Sequence, residues 1–172
     1  MARLALFFFC FWTLVVVAQE PSLAWNPQLR LSWEDFRGRP PESKRIAATT
    51  ASGISYQYNA RWNGEGYVLD LHVETLFYPE KSWYHPEVCT AVTLSHEQLH
   101  FDITEWFARK FRQRLTGRVF GENLKAEVRR IFEETNKELS DFQDRYDRET
   151  DFSRNPEAQE KWNREMAGRL RK

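Results

Sequence analysis

The sequence predicts an α+β domain in which strands come first and helices follow. Three observations carry that reading: a period-two alternation over residues 47–77, a switch to a 3.6-residue period from Val92 onward, and clear breakers between the two regimes. With 172 residues, 15% of them aromatic including 7 Trp and 13 Phe, the chain has the material for one well-packed core. Its 25 Lys+Arg balance its 25 Asp+Glu. That excludes a disordered acidic or basic tail and a polybasic nucleic-acid binder.

Residues 1–18 read as a secretory signal: Arg3 precedes an apolar run over residues 4–17, and Val16 and Ala18 offer a cleavage point before Gln19. The run is short for a membrane span, which needs about 20 residues, so no stable span is expected after cleavage. Residues 19–172 then form a single domain. Its only cysteine is Cys89, expected as a small buried hydrophobe, so no internal disulfide is available. Within it, residues 29–33 alternate briefly and residues 34–43, with Gly38 and two prolines, read as an irregular connection. Residues 47–58 place Ile54, Tyr56 and Tyr58 on one face of a strand. The turn signal Asn63-Gly64-Glu65-Gly66 follows, and residues 67–77 alternate Tyr67, Leu69, Leu71, Val73, Thr75 and Phe77 against Asp70, His72 and Glu74. Together they predict a long antiparallel hairpin.

Residues 79–86 form an aromatic loop. A first long helix is expected over residues 91–115, ending before Gly117, and a second over residues 122–146. Pro156 opens a short last helix through Trp162, Met166 and Leu170.

The first helix carries His96-Glu97-Gln98-Leu99-His100. Histidines four apart share one helix face and can reach one zinc ion, while the glutamate between them can deprotonate a water there. A shuffled chain of this composition would show the pattern about once in a hundred. Both histidines also fall on the apolar stripe of Val92, Leu99, Ile103, Phe107 and Phe111, about 40° apart on the helical wheel, and Glu97 lies at its edge. Asp102 and Glu105 point elsewhere and are expected as surface acids or supports. On the second helix, the inward stripe of Val128, Ile131, Thr135, Leu139, Phe142 and Tyr146 takes in Glu138, expected as an ion-paired boundary residue. Glu149 joins it if the helix continues.

Taken in order along the chain, these blocks resemble the DUF922 family of bacterial predicted secreted zinc-dependent proteases. The resemblance covers residues 31–36 (Leu31-Ser32-Trp33-Glu34-Asp35-Phe36) with Gly38, residues 51–56, and Lys81-Ser82-Trp83. It continues through the His96–Ile103 block with Glu105, Ala108 and Arg109, then Tyr146-Asp147-Arg148-Glu149-Thr150, and Gln159 to Trp162. It implies that His96 and His100 bind zinc and that Glu97 is the catalytic base. One position departs from the family pattern: Phe152 stands where a histidine follows the Tyr-Asp-x-Glu-Thr segment, which leaves Glu149, Asp147 or Asp151 to supply the third ligand. Glu149 is the one expected here.

The resemblance implies an exported zinc-dependent metallopeptidase, periplasmic or secreted, whose partner is a peptide or protein substrate and not a nucleic acid. A zincin-like layout would pair an extended substrate with a sheet edge, expected at residues 67–77, with Tyr146 or His85 as donor to the oxyanion. The alternative, motivated by Phe152, is a catalytically reduced zincin-like binding or structural protein of the cell envelope.

Overall fold

The alternating region forms the expected long hairpin, with short strands added to make two small antiparallel sheets. A computed structural model describes residues 20–171; the expected signal over residues 1–18 lies outside them. The first sheet contains β1 (Leu23–Ala24), β3 (Ser52–Trp62) and β4 (Tyr67–Phe77) in the order β1-β4-β3. The second pairs β2 (Ala48–Thr49) with β5 (Trp83–Tyr84). The single strand expected over residues 47–58 therefore divides after Thr49: its first two residues pair with the aromatic loop and the rest with β4.

The β3–β4 ladder runs from Ser52 opposite Phe77 to Trp62 opposite Tyr67. Its turn is closed by Asn63, whose side-chain oxygen accepts from the Glu65 and Gly66 amides at 3.0 Å each, and by Gly64 at φ 104°. This register puts Tyr56 opposite Val73 and Tyr58 opposite Leu71, gathering the alternating apolar residues on one face.

Against that face lies α1 (Ala91–Leu115), capped at its start by Thr90 and Thr93, each side-chain oxygen accepting the other residue's amide. Its stripe of Leu99, Ile103, Phe107 and Phe111 is buried between the sheet and two further helices, α2 (Leu124–Glu149) and α3 (Pro156–Leu170). Each such side chain stabilises the fold by about 1.5–3 kcal/mol. The fold is thus α+β, a small antiparallel sheet followed by three helices, the last one short. Two assignments of the sequence change. Glu105 is no surface acid: it is 8% exposed and holds Thr75 Oγ1 at 2.8 Å and Arg109 Nε at 2.8 Å. The second helix runs three residues past Tyr146, which carries Asp147 and Glu149 onto it. Among the described residues, no helix is long and apolar enough to cross a membrane.

A second cluster of Leu31, Phe36, Phe77 and Phe101, with Trp33 stacked on Tyr84 at 4.5 Å, pins the aromatic loop and β5 beside α1. Gly38 closes this corner. Its amide donates to Ser82 O at 2.7 Å, and a Cβ there would lie 2.8 Å from that oxygen and 2.9 Å from Glu80 O. Ser82 in turn is fully buried and accepts the Ala51 amide at 2.9 Å between β2 and β3. Gly38→Ala is therefore expected to lower the unfolding free energy by about 1–3 kcal/mol, read from the urea midpoint at constant m.

Candidate metal centre

The helical spacing of His96 and His100 aims both imidazoles from α1 at the end of α2, where Asp147 meets them. His96 Nε2 and His100 Nε2 lie 3.1 Å apart, and Asp147 Oδ1 is 3.0 Å from the first and 2.9 Å from the second. Among the described residues these three form the group of ligating side chains close enough to hold one metal ion. A tetrahedral zinc with ligand distances of about 2.0–2.1 Å spaces its donors about 3.3 Å apart, so the triangle has the right size.

The proton inventory strengthens the fit. His96 Nδ1 faces Gln159 Oε1 at 3.1 Å, an acceptor, so it carries the ring hydrogen and Nε2 presents a lone pair. The orientation of Gln159 is set in turn: its amide nitrogen donates to Asn163 Oδ1 at 2.9 Å, and Asn163 Nδ2 donates to Ser95 Oγ at 2.9 Å. A bare imidazole nitrogen 3.0 Å from a carboxylate oxygen is repulsive unless positive charge sits between them. Burial alone would raise the Asp147 carboxyl, yet the adjoining imidazoles of His100 and His96 hold it well below the usual carboxylate range. Burial likewise opposes charge on His100, but the hydrogen bond it donates to Asp147 and the charges of Glu97 and Asp147 outweigh it and raise its pKa. The cluster has the donor set and the spacing to take a cation.

Glu97 stands beside it. The side chain is 4% exposed and its Oε2 has no hydrogen-bond partner, while the residue borders a cleft of about 640 Å³ together with His96, His100 and Asp147. A buried carboxylate oxygen without a donor is costly, and a water held at the triangle would supply one.

The other residues expected at the site are placed elsewhere. The third corner is Asp147, not Glu149: the stripe of α2 centred on Phe142 packs on Trp106, Phe107 and Trp162, so an acid at that angle meets α3. Glu149 Oε2 accepts from Trp162 Nε1 at 3.0 Å. The cleft lies to one side of the stripe, at Gln143 and Asp147, one helical turn apart.

Tyr146 is fully buried behind His96, its ring stacked on the imidazole at 4.5 Å, and its hydroxyl donates to Gln159 Oε1 at 2.9 Å with His96 O at 3.2 Å. It positions His96 and does not face the cleft; burial pushes its phenol pKa up. His85 also lies away from the cleft, 5% exposed and edge-on to Trp83. Glu138 is ion-paired with Arg114 and Lys110, as expected. Gln159 escaped the sequence reading, although a buried amide in the α3 stripe with Trp162 and Met166 is itself a signal.

The expected sheet edge moves as well. Residues 67–77 form β4, which β1 covers only at Leu76 and Phe77 and which does not line the cleft. The cleft is walled instead by residues 44–50, which include β2. His85 donates to Ala47 O at 2.8 Å, so by antiparallel alternation the main-chain N–H and C=O of Ala48 turn away from β5 and have no strand partner there.

Residues 26–155 match the sequence model of DUF922, described as a bacterial protein of unknown function. The chain belongs to the DUF922 family. The match contains both histidines, Glu97, Asp147 and Phe152, whereas the whole of α3, with Gln159, lies beyond it. No curated protein and no solved structure compared with this DUF922 chain matches it.

After α2 the DUF922 chain makes a turn in which Asp151, Phe152 and Ser153 all have positive φ, at 48°, 50° and 69°. The turn is tied to the centre by the Phe152 amide, which donates to Asp147 O at 2.8 Å. Left-handed backbone costs about 1–2 kcal/mol per non-glycine residue. Ser153→Gly is therefore expected to hold stability or raise it by up to about 1 kcal/mol, and Ser153→Val to lower it by about 1–2 kcal/mol, in parallel urea titrations.

Proposed function

We propose that this DUF922 protein is an exported zinc-dependent metallopeptidase of zincin-like layout, with His96, His100 and Asp147 holding the metal and Glu97 acting as general base. The observation that carries the reading is the free, buried Glu97 Oε2 beside a triangle of three electron-rich atoms. Zinc bound there would act as a Lewis acid and bring a water toward ionisation near neutral pH.

The protein's own groups do the rest. Glu97 Oε2 takes a proton from the attacking water and returns it to the leaving nitrogen as the peptide bond breaks. Gln159 and Tyr146 keep the His96 ring in the tautomer that leaves Nε2 bare. The unpaired main chain of Ala48 offers an extended peptide one rung of a β-ladder along the cleft. Export is supported by the charge and apolar pattern of residues 1–18. A catalytically reduced binding module was motivated by Phe152; with Asp147 at the third corner, a histidine at 152 is not needed to complete the ligand set.

Protein prepared in excess zinc is expected to retain about one ion per chain by mass spectrometry or atomic absorption, and Glu97→Gln to keep that ion while peptide turnover falls by about 10²–10⁴-fold. A chain that takes up no zinc would overturn the proposal. Competitive chelator titration gives a second check on the ligand set. Asp147→Ala should release the metal, Glu149→Gln should leave its affinity unchanged, and Gln159→Leu should weaken it by about 10–100-fold.

A further inference from the structure

The mouth of the cleft has a chemistry that neither the metal triangle nor the fold explains. Five large apolar side chains are markedly exposed among the described residues: Ile46 at 57%, Trp62 at 57%, Val88 at 44%, Val119 at 46% and Phe152 at 54%. Three of them, Ile46, Val88 and Phe152, line the one cleft that contains His96, Glu97, His100 and Asp147.

Phe152 is the most telling. Its backbone sits at φ 50°, where glycine or asparagine is at ease and an aromatic residue is not, and its exposed ring adds little to the core. Yet it is held firmly. The amide is bonded to Asp147 O at 2.8 Å, Arg154 forms two hydrogen bonds to Asp151 at 3.1 and 2.8 Å, and the Arg154 guanidinium rests 5.6 Å from the Phe152 ring centre. An exposed aromatic ring on a strained, braced turn beside a ligand residue costs stability and is pre-set to meet something apolar.

The charges at the mouth point the same way. Lys44 is paired with Glu87 and Arg154 with Asp151, so two of its three cations are already neutralised and only Arg45 lacks a carboxylate partner among the described residues.

We infer that Phe152, together with Ile46 and Val88, forms an apolar recognition surface that selects extended peptides carrying a bulky apolar side chain next to the bond at the metal centre. This names a substrate class for the site and rests on the metallopeptidase reading. The strand-like stretch at Ala48 would hold the peptide main chain, and the alternation of an extended chain then turns its side chains successively toward and away from the mouth.

The test uses the zinc-loaded protein and a set of matched peptides bearing Phe, Leu, Ser or Glu on either side of the scissile bond. Cleavage is expected to favour Phe and Leu over Ser by about 10–100-fold in kcat/KM. Phe152→Ser is expected to reduce that preference about tenfold, with zinc content and circular dichroism unchanged; Val88→Ser serves as the second variant should the turn fail to fold. Equal cleavage of all peptides, or a preference for Glu set by Arg45, would overturn the inference and leave the peptidase reading standing.

Binding to the zinc-loaded Glu97→Gln variant separates the remaining cases. If no peptide is cleaved but the apolar peptides bind more tightly than Ser peptides, and Phe152→Ser erases the difference, the recognition surface stands and the hydrolytic reading falls. Neither cleavage nor selective binding overturns both.

Discussion

Two imidazole nitrogens and a carboxylate oxygen held 2.9–3.1 Å apart need a shared hydrogen or a cation between them, and much of the molecule is arranged to keep them there. The apolar stripe of α1 fixes its rotation against the sheet, which decides where the histidines point. The aromatic contacts of Phe142 with Trp106, Phe107 and Trp162 then fix the rotation of α2. Asp147 reaches the triangle because Phe142 does not. The same packing that builds the core therefore sets the geometry of the polar site, and neither can be altered without the other.

The sheet contributes by being incomplete. Had residues 47–58 run as one strand beside β4, the edge along the cleft would be spent on its own partner. The division after Thr49 sends Ala48 to pair with β5 and turns one rung of its main chain away from that strand, on a wall of the cleft that Glu97 also borders. Gly38 and the buried Ser82 hydroxyl secure that division, since both sit where the two small sheets part. A short, twisted edge is also a guarded one, too brief to template indiscriminate pairing.

The strand-then-helix order, the hairpin register and the helix carrying His96, Glu97 and His100 were legible in the sequence because each is a local periodicity. The third corner was not. On a helical wheel Glu149 falls on the apolar stripe of α2 and Asp147 off it, and the wheel suggests that the stripe faces the metal. In the fold the stripe packs on α1 and its last turn on α3, where Glu149 finds an indole, and the cleft opens beside it. Tyr146 was singled out for the right neighbourhood and the wrong task, since a wheel locates a ring but does not say that its hydroxyl is taken by Gln159. Such assignments depend on how α1, α2 and α3 meet, and that information is spread over residues far apart in the chain.

The hydrogen-bond run from Ser95 through Asn163 and Gln159 to His96 makes α3 a timing element as well as a support. A helix packed on one side opens locally more often than the buried core does. Each opening withdraws the Gln159 oxygen and frees the His96 ring to exchange tautomers. The lifetime of a correctly oriented His96 ring is then bounded by the local opening of a fifteen-residue helix, all of which lies beyond the stretch matched by the family model.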